Sequence, residues 1–192
     1  MPPKAEITRE KVLNEAFDIV REQGMDALTA RNLAQRIKCS TQPIYSVCGN
    51  MDQLKEDVYN QAIDFALSNM RSYENEHNSP ALNLGLGYLQ FARNEKQLYK
   101  TVYLSGYKSF DLNQDKFIGE EMFTASMRHS KRLNKIDEKI LRKIYLKLSI
   151  YIIGIATMIN TDTIKISIDE ASNMVTDMYE ILLASENITR ND

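Results

Sequence analysis

The chain has 192 residues, 43% of them apolar and 26% charged, with a formal net charge of −2, a core-forming composition without the excess of one sign that a nucleic-acid coat protein carries. Seven Gly and four Pro are too few turn-formers for a sandwich or barrel of many short strands. The longest uncharged run, 148–161, is 14 residues, short of the roughly 20 apolar residues of a membrane span.

The opening Met1-Pro2-Pro3-Lys4-Ala5-Glu6 lacks the apolar stretch of a secretory signal, and two Cys cannot make a disulfide framework. A reducing cytoplasm is the expected compartment, where Asn187-Ile188-Thr189 is no glycosylation acceptor. The expected architecture is all-α with about nine helices, split into a smaller part (1–50) and a larger part (51–192).

Thr8 is the natural N-cap of the first helix, whose stripe is Val12, Leu13, Ala16, Phe17 and Val20, and Gly24 closes it. Thr29 caps a second, short helix, Ala30 to Ile37, with Leu33, Ala34 and Ile37 inward. Lys38-Cys39-Ser40 breaks the pattern, and Ser40 caps a third helix with Pro43 in its first turn, ending near Cys48-Gly49-Asn50. Two short helices across a tight turn, braced by a longer one, are the layout of a helix-turn-helix reader, in which the second enters a major groove.

Asp52 is the expected cap of a long fourth helix to about Glu76, broken by Asn78-Ser79-Pro80. Further helices are expected at about 81–95, 97–106, 115–133, 137–160 and 168–186. Ile164 to Ile168 alternates like a strand, but without a partner it reads as a connector leading to a Ser167 or Asp169 cap. A basic cluster lies between Arg128 and Lys147. It is a candidate anion patch, although the helical spacing of Lys139, Arg142, Lys143 and Lys147 fits a solvated helix face better.

Residues 7–58 resemble the N-terminal DNA-binding domain of TetR-family transcriptional repressors. The resemblance is carried by Ile7-Thr8-Arg9, Ala16-Phe17, the Gly24 stop, Thr29 through Ile37, Ser40, Tyr45, and Asn50 with Leu54. It implies an all-helical homodimer whose first three helices bind an operator, and a C-terminal part that binds a small effector and dimerises through its last two long helices. The chain departs from the family at Lys38, where Gly is common, which implies a left-handed Lys at about 1 to 2 kcal/mol. Cys48 replaces an aromatic, and Gly49 and Met51 replace basic residues, which removes phosphate clamps that Lys55 partly restores.

With the resemblance, Thr29 and Arg31 are expected on the sugar-phosphate backbone, and Thr41, Gln42 and Ser46 in the groove, where Gln42 can pair with adenine N6 and N7. Tyr45 is expected to donate to a phosphate, and Ser40 and Pro43 complete the set at the start of the reading helix. The alternative roles are capping for Thr29 and a partly buried bracing ring for Tyr45, for which DNA contact is the favoured reading. The expected DNA is a near-palindrome, since a two-fold dimer presents its reading helices symmetrically.

An effector pocket is expected among Phe65, Tyr88, Phe91, Tyr103, Tyr107, Phe123 and Met127, with Arg93, Arg128 or His129 available to orient a polar group. Dimerisation is expected through Ile144, Leu148, Ile152, Ile155 and Ile159 on one helix. On the next it would use Met174, Val175, Met178 and Leu182, flanked by Ala171 and Ile181. Cys39 and Cys48 read as core thiols and not as a redox switch. His77 and His129 stand apart, so no metal site is expected, nor any cofactor. Gly85-Leu86-Gly87 reads as close helix packing and not a phosphate loop. No catalytic motif occurs, so no enzyme is expected. The alternative function is an all-helical ligand-binding or adaptor protein that has lost DNA affinity, which the nine acids against eight cations in residues 1–57 would allow.

Overall fold

The structure, a computed structural model, describes residues 7–112 and 114–188. The readings made of Met1–Glu6 and Thr189 lie outside them. Among the described residues there are nine α-helices and no strand, and no helix is long and apolar enough to cross a membrane. They fall into two compact units, one running through Phe65 and taking in Glu95–Lys108, the other comprising Ala66–Asn94 and the chain from Ser109 on.

In the first unit, α1 (Arg9–Gln23) starts where the Thr8 hydroxyl accepts from Lys11 N–H and buries Val12, Ala16, Phe17, Ile19 and Val20. Then come α2 (Ala30–Ile37) and α3 (Thr41–Cys48). The fourth helix, α4 (Met51–Ser72), is capped two residues earlier than expected: the Asn50 side chain accepts from Gln53 N–H at 2.8 Å, and Asp52 sits within the first turn. It ends at Ser72, not near Glu76, where the Ser72 hydroxyl bonds back to Asn69 C=O at 2.8 Å and competes with the next helical turn. The expected 97–106 helix is two pieces, α6 (Lys96–Tyr99) and a π-helical turn, Lys100–Leu104. Tyr59 on α4, fully buried, donates to Val102 C=O at 3.2 Å and so holds the widened turn.

In the second unit, α5 (Pro80–Asn94) begins with Ser79 accepting from Leu82 N–H and Pro80 at the first helical position. A Cβ on Gly87 would lie 2.5 Å from Met70 C=O, so the end of α4 and α5 touch backbone to backbone, the close packing expected of Gly85-Leu86-Gly87. The expected 115–133 helix is only α7 (Glu120–Met127). Gly119 at φ 84° turns the chain into it. The Glu120 carboxylate is drawn inward, accepting from Phe117 N–H at 3.1 Å and Arg142 Nε at 2.8 Å. Beyond Met127 successive turns replace the helix and deliver Leu133 into a core with Leu141, Ile144, Leu183 and Ile188.

The last helices are α8 (Glu138–Asn160) and α9 (Ile168–Ser185). Buried Asn160 donates to Ala92 C=O at 2.8 Å and ties α8 to α5. The segment before α9 is a connector, closed by a capping box in which Ser167 accepts from Glu170 N–H and the Glu170 carboxylate accepts from Ser167 N–H. The basic cluster is divided: Arg132 pairs with Glu180, Arg142 with Glu120 and Lys143 with Glu186.

Candidate nucleic-acid interface and an apolar cavity

The turn between α2 and α3 is a Schellman motif built without glycine. Cys39 N–H bonds to Ala34 C=O at 2.9 Å and Lys38 N–H to Gln35 C=O at 3.2 Å, with Lys38 left-handed at φ 60°, ψ 47°. Asp162 after α8 and Asn187 after α9 also take positive φ, but their short polar side chains tolerate it better than Lys. Thr29 caps α2 by accepting from Asn32 N–H at 3.2 Å, which leaves its O–H free to donate. Ser40 stands at the N-cap of α3 without a side-chain cap bond, so the expected capping is absent and its hydroxyl is exposed.

On α3, Ile44 and Cys48 are buried and hold the helix to its unit, while Thr41, Gln42, Tyr45 and Ser46 face outward. Tyr45 is 44% exposed, so it is no bracing ring. Pro43 is half-buried in the first turn, and Arg31 is exposed at the start of α2. Lys55 is half-buried on α4. The residues expected to meet DNA in α2 and α3 therefore present one largely exposed polar edge.

The sequence carries a further signal in its charge pattern. From Ala27 to Met51 there is no Asp or Glu, while Arg31, Arg36 and Lys38 all fall within that stretch. Arg36 turns back onto α1, with its guanidinium bidentate on Glu22 at 2.8 Å and its Nε on Glu15 at 2.9 Å. Glu22 and then Glu15 hold Arg36 well above its ordinary value. Of the three cations in this stretch, Arg31 and Lys38 are left without an ion pair among the described residues. Burial pushes the Cys48 thiol up, which makes it inert. Cys39 is half-buried in the turn and is not a core residue.

The second unit encloses an apolar cavity of about 220 Å³ between α5, α7, α8 and α9, walled by Leu82, Phe123, Met127, Leu148, Ile152 and Val175. Of the residues expected to line a pocket, Phe123 and Met127 do. Tyr88 and Phe91 are buried in α5 without reaching it. Phe65, Tyr103 and Tyr107 belong to the first unit, where Phe65 packs tilted against Phe17 at 5.6 Å and Tyr107 against Tyr59 at 4.9 Å. Arg93 donates to Ile166 C=O, Arg128 to Asn134 and Ile136 C=O, and His129 is exposed, so none of them orients a group in the cavity.

The expected dimer face needs the same scrutiny. Ile144, Ile152, Ile155, Ile159, Val175 and Leu182 are buried inside the chain, and Leu148 lines the cavity. Met178 packs on the core, while Met174 and the flanking Ile181 are exposed. Helical spacing located the apolar side of α8 and α9 correctly but could not say that this chain's own α5 and α7 cover it. Among the described residues the exposed apolar stripes are Ile150 (66% exposed), Gly154 and Met158 every fourth residue on α8, outside the expected set, and Met174 and Ile181 (61%), both within it, on one face of α9.

Compared by sequence, the chain matches no family model and no curated protein. Compared by structure, it has a TetR-like fold. A TetR-like transcriptional regulator from Rhodococcus sp. RHA1 superposes with a TM-score of 0.62 over 96% of this chain and 99% of that one, at 15% identity.

Proposed function

We propose that the protein is a DNA-binding transcriptional regulator without enzymatic work of its own, a cytoplasmic repressor that reads a near-palindromic operator as a homodimer and responds to a small molecule. The reading is carried by α3, a short helix whose buried Ile44 and Cys48 leave Thr41, Gln42, Tyr45 and Ser46 outward in a stretch free of acids. Arg31 and Thr29 fix the register on phosphate, Gln42 reads a base edge, and Ser40, Tyr45 and Lys55 add backbone contacts around Pro43. The solved regulator of the same fold supports the assignment. In this reading residues 1–50 do the DNA recognition and 51–192 the ligand binding and dimerisation. The dimer forms through the exposed stripes of α8 and α9. Helix α4, which supplies residues to both compact units, carries the ligand's effect to the reading helix.

A rival has one observation in its favour: Arg36 is spent on Glu22 and Glu15, which leaves few cations for phosphate and fits an adaptor without DNA affinity. Selection from a random-sequence DNA pool separates the two. The regulator enriches a near-palindrome whose retention falls with salt, and Gln42→Ala relaxes preference at one base position by about 1 to 3 kcal/mol. No enriched sequence at low salt would leave the adaptor.

A further inference from the structure

The cavity's chemistry narrows what can occupy it. Its walls are mainly aliphatic, aromatic and thioether, and among the described residues its only charged lining residue is Glu180. That carboxylate is already taken: Arg132 NH1 and NH2 reach it at 2.8 and 3.1 Å, and Arg132 also donates to Ile188 C=O. A cationic ligand must compete with Arg132 for Glu180, and an anionic one meets Glu180 with its countercharge occupied. Either sign is stripped of water without a free partner, which is costly. Four hydroxyl groups remain at the lining besides Ser79, which caps α5: those of Tyr145, Ser149, Thr176 and Tyr179, with Ser149 beside the Tyr145 hydroxyl. Tyr145 O–H is committed to Ile118 C=O at 2.8 Å. Thr176 and Tyr179 form no hydrogen bond among the described residues, and burial keeps the Tyr179 hydroxyl protonated although Arg132 opposes it.

We infer that the cavity takes an uncharged, mainly hydrophobic ring compound with one hydrogen-bonding substituent, which Tyr179 and Thr176 recognise. The inference rests on the ligand-responsive reading above and names the ligand class for it. A void of about 150 Å³ accommodates benzene, so 220 Å³ suits a ring with about three further heavy atoms by the same proportion.

Four probes of matched size test it on the full-length chain without DNA: 4-ethylphenol, propylbenzene, benzoate and phenethylammonium at pH 7. Titration calorimetry reads affinity, and the 13C-methyl resonance of Met127, assigned through Met127→Leu, reads location. The expected order is 4-ethylphenol first, propylbenzene up to tenfold weaker, and both ions at least tenfold weaker than the phenol, with the Met127 methyl shifting on binding. Tyr179→Phe should weaken 4-ethylphenol several-fold and leave propylbenzene unchanged, a split that a merely structural role would not produce. Glu180→Gln frees Arg132 and should strengthen benzoate at least tenfold.

Benzoate or phenethylammonium matching 4-ethylphenol in the unaltered protein, binding that leaves the Met127 methyl still, or no binding of any probe at millimolar concentration would each overturn the inference. Because no DNA is present, any of these leaves operator recognition untouched. Conversely, the expected probe order without operator binding would strike down the regulator reading alone.

Discussion

The outward sides of the two units differ in kind. On α3 the exposed residues are short and polar around one tyrosine, whereas on α8 and α9 they are Ile150, Met158, Met174 and Ile181. A surface that reads a groove needs hydrogen-bonding groups that water satisfies until DNA replaces it; a surface that meets its own copy needs apolar area whose removal from water is the driving force. Under the proposed function, chemistry at the surface thus separates recognition from assembly more sharply than helix length or order does.

The strongest way to break that contrast is to charge the apolar stripes. Ile150→Glu with Ile181→Glu alters residues exposed in the single chain and should leave it folded. Losing burial of two isoleucines should raise the dimer Kd by on the order of 10² to 10⁴, about 3 to 6 kcal/mol. Sedimentation checks this, and a wild-type chain that is monomeric at micromolar concentration would refute the assembly half of the contrast. Ile155→Glu should instead unfold the second unit, since that side chain is buried.

Gly87→Ala comes next, aimed at stability alone. Its Cβ would lie 2.5 Å from Met70 C=O, so it should cost about 1 to 3 kcal/mol, read by urea unfolding. Arg31→Ala tests the polar side. It should weaken all DNA sequences alike and flatten the salt slope by about one unit, while Gln42→Ala changes preference instead. Equal behaviour of the two in binding titrations would erase the division between positioning and reading. The smallest effect has the opposite sign: Lys38→Gly relieves the left-handed strain and should stabilise by up to about 1 kcal/mol, a rise of roughly 2 to 4 °C in Tm.

The sequence made the first unit legible because its signals are local. Thr8, Thr29 and Gly24 act within a turn or so of themselves, and even the left-handed Lys38 followed from its place in the resemblance. The exposed side of α3 was legible for the same reason. The second unit depends on partners far along the chain. The core position of Leu133 shortened α7, and the covering of α8 and α9 by α5 and α7 moved the candidate interface outward. The cavity shares only Phe123 and Met127 with the aromatic and methionine residues first considered, because enrichment in such residues says nothing about which helices leave space between them. Glu120 is buried on Arg142, a pairing invisible in the sequence because its spacing from Arg142 carries no periodic signal.

The backbone contact at Gly87 has a kinetic corollary. With no side chain between Met70 and Gly87 there is nothing there to repack, so the end of α4 and the middle of α5 can part only by separating their main chains. Amide hydrogens of the two segments should then exchange with solvent in one concerted opening, at a free energy near that of global unfolding, while the exposed turns around Gly106 exchange freely.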